Sequence, residues 1–303
     1  MTAVVRTAVL FGCGLVLAWP ARGRAQPAGD ADVQIGAVAA PQPVAHPWGG
    51  VYFRLGGALV KPVTSSRELE LAGVDGPASL AVQNGPINGS GATVESATIF
   101  AGSIGWVMPT ARRRLSLELV LGLPFTVKFQ ATGTLADTSI APMALGIPTG
   151  VRALGPQLGE ATAVPLVVTS VYQLTPGGTF RPYLGAGASV LFTRKAKVTN
   201  PLLIEVGHPE LAISPAPGLV AQAGLDVRLW KSWYARLDVK FIALKAHAEV
   251  HHVEVKTPGL PVFDSVEVGT AKLDLWVNPL IVQAGVGCDF DIVNLVHKLT
   301  GGS

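Results

Sequence analysis

Apolar and polar residues alternate with a period of two over long stretches of the chain, most clearly between Leu219 and Ala243. A period of two predicts β-strands, because successive side chains of a strand point to opposite faces of the sheet. One face of this segment is apolar, and the other carries charged residues such as Arg236, Asp238 and Lys240. The alternation is interrupted at Lys231-Ser232, so the segment is predicted to form a β-hairpin.

Six further segments of similar length have the alternation or the composition of strands. A strand that crosses a membrane needs about 9–11 residues, whereas strands in water-soluble sheets most often have about 5–6. A water-soluble antiparallel sheet with one wet face would alternate in the same way, so the alternation alone leaves both alternatives open. The six segments lie near 51–59, 96–108, 115–122, 164–174, 183–192 and 270–290.

In the last of these segments, the apolar residues change once from odd-numbered to even-numbered positions. Odd positions are apolar up to Val277, and even positions are apolar from Leu280 onward. A one-residue switch at Asn278-Pro279 predicts a β-bulge within a single strand, since proline removes a ladder donor. Cys288 then lies on the apolar face, where we expect a packed thiol and not a reactive one.

Connection lengths and hydropathy favour a membrane barrel. Short connections alternate with long stretches rich in Gly, Pro, Ser and charge, as in outer-membrane barrels. The mean hydropathy is +0.42, yet outside the amino-terminal segment no apolar run reaches the ~18 residues of a spanning helix. The predicted fold is therefore all-β, an eight-stranded antiparallel transmembrane β-barrel with short periplasmic turns and long extracellular loops. The short connections are Pro109–Arg114, Thr175–Pro182 and Trp230–Trp233, and the long ones are 61–93, 130–160, 193–217 and 245–269.

The amino terminus has the features of a secretory signal peptide. Arg6 precedes an apolar run over Thr7–Trp19, and the small-residue site Gly23-Arg24-Ala25 follows, so we expect cleavage before Gln26. A lipoprotein site at Cys13 is the alternative. The predicted organisation is a signal peptide (1–25), a Pro/Ala-rich periplasmic lead (26–47), the transmembrane barrel (48–290) and a carboxy-terminal tail (291–303).

Charge and cysteine content argue against a nucleic-acid partner and against an intramolecular disulfide. The signal segment holds three of the 23 basic residues and no acid, so the mature chain has 23 − 3 = 20 basic against 20 acidic residues. A net charge of zero gives no indication of a nucleic-acid partner. Cys288 is the one cysteine left after cleavage, so the mature chain forms no intramolecular disulfide.

Several short motifs follow one another in the chain. They are Leu123-Pro-Phe-Thr-Val-Lys128, Phe180-Arg-Pro-Tyr-Leu-Gly-Ala-Gly187, Ala221-Gln-Ala-Gly-Leu-Asp226, Asp238-Val-Lys240, Val277-Asn-Pro279 and Gly285-Val-Gly287 with Phe290. In this order they resemble the OmpW-type outer-membrane proteins, and the resemblance covers about Gly50 to Phe290. The resemblance implies a barrel in the bacterial cell outer membrane. It also implies that small hydrophobic molecules are taken from outside and passed towards the membrane interior.

In each strand, either the odd-numbered or the even-numbered residues point inward, and this parity predicts which side chains lie inside the barrel. With the short turns in the periplasm, charged residues fall in the lower half of the lumen and apolar residues in the upper half. The charges are predicted to form a network across neighbouring strands, because eight strands leave an interior that side chains can fill. The predicted network is Arg54, Glu118, Asp226, Arg228, Arg236 and Asp238. The apolar mouth is predicted to form a ligand-binding wall of Leu191, Val220, Ile242 and Leu244.

The leading hypothesis is a barrel that binds and passively admits small hydrophobic or amphipathic molecules through an apolar extracellular mouth. A non-conducting structural or surface-interaction barrel is the alternative, because long exposed loops often carry recognition. The expected partners are outer-membrane lipid and a small hydrophobic solute, with the oligomeric state left open. No cofactor is expected.

One cluster of polar residues raises the alternative of an enzyme that acts on lipid. His247, Glu249 and His251 come near the predicted upper end of a strand, but no serine neighbours this histidine in sequence as a nucleophile. The same residues lack the fixed geometry of a metal site if the strand breaks into a loop there. The sequence therefore predicts neither catalytic residues nor metal ligands.

Overall fold

A computed structural model describes residues 50–109, 114–175, 177–260 and 262–290, and most of these residues lie in β-strands. The predicted signal peptide, periplasmic lead and carboxy-terminal tail lie outside the described residues. Eight strands form a barrel, and we number them along the chain. They are β1 (Val51–Pro62), β2 (Ala97–Val107), β3 (Leu115–Gly122), β4 (Gln157–Gln173), β5 (Phe180–Val198), β6 (Ala216–Trp230), β7 (Trp233–Lys256) and β8 (Pro279–Phe290).

The barrel is closed by pairing between its first and last strands. Each strand pairs antiparallel with the next barrel strand along the chain, and β1 pairs with both β2 and β8. Phe53, for example, lies opposite Ile104 on one side and Cys288 on the other. Closure leaves neither the first nor the last strand as a free sheet edge, as hydrocarbon favours, since lipid cannot hydrogen-bond to the backbone. The predicted eight-stranded antiparallel barrel is confirmed.

The apolar face of the alternation points outward. Large apolar side chains such as Leu55, Leu184, Leu219 and Leu237 are more than half exposed on the outer surface. In hydrocarbon this arrangement is favourable, because the exposed side chains contact lipid tails. Cys288 lies on the same face of the sheet as these outward rows, opposite Phe53 and Trp233, as predicted. Aromatic side chains at least 41% exposed mark the short-turn end of the barrel, namely Trp106, Tyr172, Phe180, Trp230, Trp233 and Phe290.

Above the barrel, the long connections form a second layer of structure that we call the upper tier. β7 has 24 residues, which is more than the ~9–11 needed to cross the membrane, and its upper part pairs with strands Glu210–Ile213 and Ser265–Trp276. The other strands of the upper tier are Ser65–Ser66, Glu70–Ala72, Gly85–Pro86, Ser90–Val94, Phe125–Gly133, Met143–Ala144 and Ile147–Pro148. Its helices are the 3₁₀-helix Gly76–Leu80 and the α-helices Thr134–Asp137 and Pro201–Ile204.

The upper tier has its own apolar core. Leu71, Leu203, Val253 and Val268 are buried in it, each at most 5% exposed. Helix Pro201–Ile204 brings Leu203 into this core, and it begins there because Pro201 fits the first turn and the Asn200 side chain accepts hydrogen bonds from the next free amides. The predicted long connections thus contain paired strands and a packed core, which the sequence analysis left open.

The final predicted strand is in fact two strands. A turn through Val277 and Asn278 separates Ser265–Trp276 in the upper tier from β8 in the barrel, and odd-numbered positions such as Leu275 and Gln283 are buried on both sides of it. Asn278 has a φ of 37°, a conformation that Asn tolerates better than most residues. Its side chain accepts a hydrogen bond from Leu244 N at 3.3 Å, which ties the turn to β7. A bulge within one strand was therefore the wrong interpretation.

In the described parts of the chain, no helix has the length and apolar character needed to span a membrane.

Candidate functional site

The lower half of the barrel interior is filled by a group of side chains that we call the plug. Every member points inward from a barrel strand, and none is more than 5% exposed. Such burial of charge is stable only when each charge is paired and hydrogen-bonded. The plug consists of Tyr52, Arg54, Glu118, Tyr183, Asp226, Tyr234, Arg236, Asp238 and Lys240.

Glu118 on β3 is the centre of the plug. Arg236 donates to its two carboxylate oxygens from Nη1 and Nη2, each at 3.3 Å. Arg54 Nη1 also donates to Oε2, and the Tyr52 hydroxyl donates to the same oxygen at 3.1 Å. Lys240 Nζ lies 3.9 Å from Oε1. One carboxylate therefore joins side chains from β1, β3 and β7.

Two aspartates complete the charge pairing. Asp238 Oδ1 accepts hydrogen bonds from the Tyr183 hydroxyl at 2.6 Å, from Gln222 Nε2 at 2.9 Å and from Arg236 Nη2 at 3.1 Å. Its other oxygen pairs with Lys240. Asp226 Oδ2 accepts from Arg54 Nη2 at 2.8 Å.

The three plug tyrosines each lie over a glycine of the adjacent strand. A Cβ atom at any of these glycines would overlap the tyrosine side chain, so the glycine supplies the space that the ring needs. The rings in turn surround the Arg54 guanidinium, whose Cζ is 3.9 Å from the centroid of Tyr52. The cross-strand pairs are Tyr52 with Gly105, Tyr183 with Gly224 and Tyr234 with Gly287.

The plug contains five of the six predicted network residues. Arg228 is exposed near the β6–β7 turn, so its predicted place in the network is wrong. It has the inward parity, but the filled part of the lumen ends at Asp226, and the pairing register shifts just after Arg228. The pairing pattern also differs from a simple exchange across the hairpin, because Asp226 pairs with Arg54 on β1.

Strand parity placed Tyr52 in the lower lumen, but sequence reasoning did not assign Lys240 or the three tyrosines to the charge network. Lys240 shares the parity of Arg236 and Asp238, which was the available signal. The Tyr–Gly pairs had no signal in the linear sequence, because the partners lie between 41 and 53 residues apart and their register is known only from the strand pairing.

Above the plug lies an apolar cavity of about 100 Å³ that we call the chamber. Of the predicted ligand wall, Leu191, Ile242 and Leu244 line it. Val220 packs in the same buried cluster without lining the cavity. The prediction of an apolar upper lumen is confirmed, but its position as an open mouth is wrong, because the upper tier continues above these residues.

A second apolar cavity of about 90 Å³ lies in the upper tier and is lined by residues that include Leu71, Leu135 and Leu203. The two cavities have four lining residues in common. Only side chains therefore separate the upper cavity from the chamber. The shared residues are Phe129, Ile213, Ala248 and Leu275.

A gap in the strand pairing lies beside the chamber. The β2–β3 ladder runs up to Ala101 and Gly122, and the chain then turns at Leu123-Pro124. The strand that follows, Phe125–Gly133, pairs with β4 and with Ser90–Val94, and in the described residues no ladder joins it to β2. Pro124 contributes to this gap because it has no backbone N–H to donate.

We call this gap, between 97–100 of β2 and 122–125, the lateral window. Ala97, Ile99 and Phe125 line the chamber on its inner side. Phe100 and Leu123 are 53% and 60% exposed on its outer side, at the level of the lipid-facing rows. The window therefore lies between the apolar lining of the chamber and apolar side chains on the outer surface.

The histidine cluster lies in a strand and not in a wet loop. His247, Glu249 and His251 belong to β7, which continues to Lys256. His247 Nδ1 pairs with Asp274 on the facing strand, and His251 Nε2 lies 3.6 Å from Glu249. Among the described residues, no group of three or more His, Cys, Asp or Glu side chains has a geometry that could hold a metal ion.

A closed antiparallel barrel with an apolar outer surface, an aromatic girdle and a polar filled interior is a bacterial outer-membrane β-barrel protein. The family model described as the OmpW family matches residues 49–290. The chain belongs to the OmpW family and resides in the bacterial outer membrane.

Individual relatives agree with this assignment. The chain is 31% identical over 137 residues to the uncharacterized outer-membrane protein y4mB of Sinorhizobium fredii, covering 45% of this chain and 51% of the relative. It is 24% identical over 175 residues to the dibenzothiophene metabolism operon protein PahQ of Pseudomonas aeruginosa, covering 58% and 64%. The matched segment thus spans less than two thirds of either relative. The crystal structure of the outer membrane protein OprG from Pseudomonas aeruginosa superposes with a TM-score of 0.61 at 20% identity, covering 81% of this chain and 98% of OprG, and shows the shared fold.

Proposed function

We propose that this barrel binds small hydrophobic or amphipathic molecules in the chamber and admits them passively into the outer membrane. The observation that carries the proposal is the division of the lumen into a filled polar plug below and an apolar cavity above. Binding sites for small molecules are mostly apolar with a few polar groups, and the chamber has this composition. Its volume, about 100 Å³, favours small or narrow ligands, since pockets for drug-sized molecules measure ~300–1,000 Å³.

The plug determines the direction of release. A ligand in the chamber cannot continue to the periplasm without displacing paired charges that are at most 5% exposed. Moving an apolar ligand through that network would break hydrogen bonds that it cannot replace. The lateral window offers an apolar route of lower cost, from the chamber into the lipid beside Phe100 and Leu123.

The name of one relative supports the proposed class of ligand. PahQ is described as a dibenzothiophene metabolism operon protein, and dibenzothiophene is a flat apolar aromatic compound. The present chain would accept apolar compounds that fit its own chamber. We propose outer-membrane lipid and such a solute as its partners, and no enzymatic activity.

Ile242→Gln tests the chamber, because it introduces an amide among apolar lining residues. An unpaired amide in this site should weaken binding of an apolar solute, and we expect the protein-dependent uptake rate into proteoliposomes to fall several-fold. Ile204→Gln is the matched control, since Ile204 is 52% exposed in a short helix of the upper tier. Heat-modifiable migration on gels would establish that both variants fold. Equal uptake by the folded variant and the wild type would contradict the assignment of the chamber.

A non-conducting structural barrel is the second candidate, and the filled plug favours it. Wild-type proteoliposomes distinguish the two candidates. A structural barrel would take up the apolar solute no faster than protein-free liposomes, whereas an uptake barrel would accelerate entry.

A further inference from the structure

The chamber contains one polar group that its apolar surroundings do not explain. Its polar lining side chains, among the described residues, are Glu95, Ser189 and Thr193. Gln130 donates to Glu95, and Thr193 donates to the carbonyl oxygen of Ile213 at 3.1 Å. The Ser189 hydroxyl is buried and has no hydrogen-bond partner among the described residues. Ser189 itself is 6% exposed.

Two more buried polar atoms that have no hydrogen-bond partner in the described part of the chain lie on the strands beside Ser189. Thr169 Oγ1 is on β4, and Gln222 Oε1 is on β6. Thr169 lies opposite Gly187, and Gln222 lies opposite Gly185, on the strand that carries Ser189. Of the three groups, Ser189 lines the chamber, and Thr169 and Gln222 lie below it on the adjacent strands, towards the plug.

The strand that carries Ser189 has glycines at this boundary. Between Ser189 and Tyr183, the inward positions of β5 are Gly187 and Gly185. A Cβ atom at Gly187 would overlap the β4 backbone, and one at Gly185 would lie against Gln222, so these glycines let β4 and β6 approach β5 closely just below Ser189. We call the group of Ser189, Thr169 and Gln222 the polar floor of the chamber.

Buried polar groups in folded proteins nearly always have hydrogen-bond partners, because leaving one unpaired carries the full cost of its desolvation. Three such atoms on neighbouring strands are well placed to recognise a polar group of a ligand. Ser189 and Thr169 supply hydroxyl groups that donate and accept, and Gln222 Oε1 supplies an acceptor. This set fits a ligand hydroxyl, which also donates and accepts. A carboxylate fits less well, because it would face Gln222 Oε1 and the nearby Asp238, to which Gln222 donates.

We propose that the polar floor binds the hydroxyl end of an amphipathic ligand, such as a small phenol or alcohol, whose apolar body occupies the chamber. The inference rests on the proposed function, since it specifies which small molecules the chamber prefers. The ligand enters with its hydroxyl group towards the plug and its apolar part against Leu191, Ile242 and Leu244.

A pair of ligands that differ by one group tests the proposal. 4-Ethylphenol and 4-ethyltoluene have nearly the same shape, with a hydroxyl group in one and a methyl group in the other. Binding to the purified protein in lipid nanodiscs is measured by ligand-detected NMR titration, with empty nanodiscs as the reference. We expect Ser189→Ala to weaken 4-ethylphenol binding roughly fivefold, as the loss of one neutral hydrogen bond would, and to leave 4-ethyltoluene binding unchanged.

The control is Ser170→Ala, the same substitution at an exposed, outward-facing position of β4. It should change neither affinity. Thr169→Val removes a second hydroxyl of the floor and should also weaken the phenol selectively. The comparison of each ligand between wild type and variant cancels differences in how the two compounds partition into lipid.

The outcomes separate this inference from the proposed function. Selective weakening of 4-ethylphenol by Ser189→Ala supports the polar floor. Equal binding of each ligand to wild type and both floor variants overturns it while leaving the chamber as an apolar site. Failure of both ligands to bind the wild type overturns the polar floor together with the proposed function.

Discussion

At the scale of single residues, the dominant feature is the burial of charge in the plug. Glu118 is fully buried and contacts two arginines, a tyrosine and a lysine. Removing its negative charge would leave the buried guanidinium groups of Arg54 and Arg236 with less compensating charge. An exposed pair such as Glu160 with Lys197, at 2.9 Å, has no such dependence because water solvates each partner.

Glu118→Gln should therefore lower the free energy of unfolding by about 3 kcal/mol, the usual scale for breaking a buried ion pair. Glu160→Gln, the same change at the half-exposed pair, should lower it by less than about 1 kcal/mol. Urea unfolding of the protein refolded into lipid vesicles measures both. Similar losses for the two variants would contradict the role of Glu118 as the centre of the plug.

At the scale of elements, the length and continuity of the strands decide the shape of the chamber. β7 extends without interruption through the membrane into the upper tier, so residues predicted at a mouth lie midway along a longer structure. β3, in contrast, ends at Gly122, and the chain resumes at Phe125 still paired with β4 but with Ser90–Val94 in place of β2. The continuous strands enclose the chamber, and the interrupted strand opens the lateral window.

Pro124→Val should narrow the lateral window, because it restores a backbone N–H that can donate towards β2. We expect slower transfer of an apolar solute into the lipid with unchanged affinity of the chamber. Stopped-flow uptake and equilibrium binding measure the two quantities separately. Pro182→Val, a change at an in-strand proline near the periplasmic end of β5, is the control. A rate equal to that of the wild type would argue against the window as the route of exit.

At the scale of the whole molecule, the barrel combines a sealed lower half with an apolar middle and a packed upper tier. Ions need a continuous hydrated path, and side chains with at most 5% exposure leave none through the plug. Apolar solutes need no hydrated path if they leave the chamber through the lateral window into the lipid. We therefore expect this architecture to exclude ions, and under the proposed function it would admit apolar molecules.

We expect the wild-type protein to show no steady single-channel current in planar lipid bilayers. The double variant Arg54→Ser with Glu118→Ser removes one cation and one anion, which preserves net charge while opening space in the plug, and it should conduct. Steady currents through the wild type would show that the plug does not seal the lumen. A silent double variant that is folded by gel migration would locate the seal elsewhere.

The sequence alone determined the barrel and the polarity of its two faces. Alternation with a period of two is a local property of the chain, so the outward rows such as Leu219–Leu229 and the inward Arg236, Asp238 and Ile242 could be assigned without coordinates. The same parity predicted a charged lower lumen and an apolar upper lumen. It failed for Arg228, because parity gives the face of a strand but not the height at which the packed interior ends.

Only the tertiary structure decided how strands distant in the chain meet. The pairing of Asp226 with Arg54, the tyrosines seated over glycines, and the three unpaired groups of the polar floor depend on register around the closed sheet. The upper tier and the lateral window depend on where pairing continues and where it stops, as at Asn278 and Pro124. Register results from the sum of many long-range contacts, and for this reason no local pattern in the sequence encodes it.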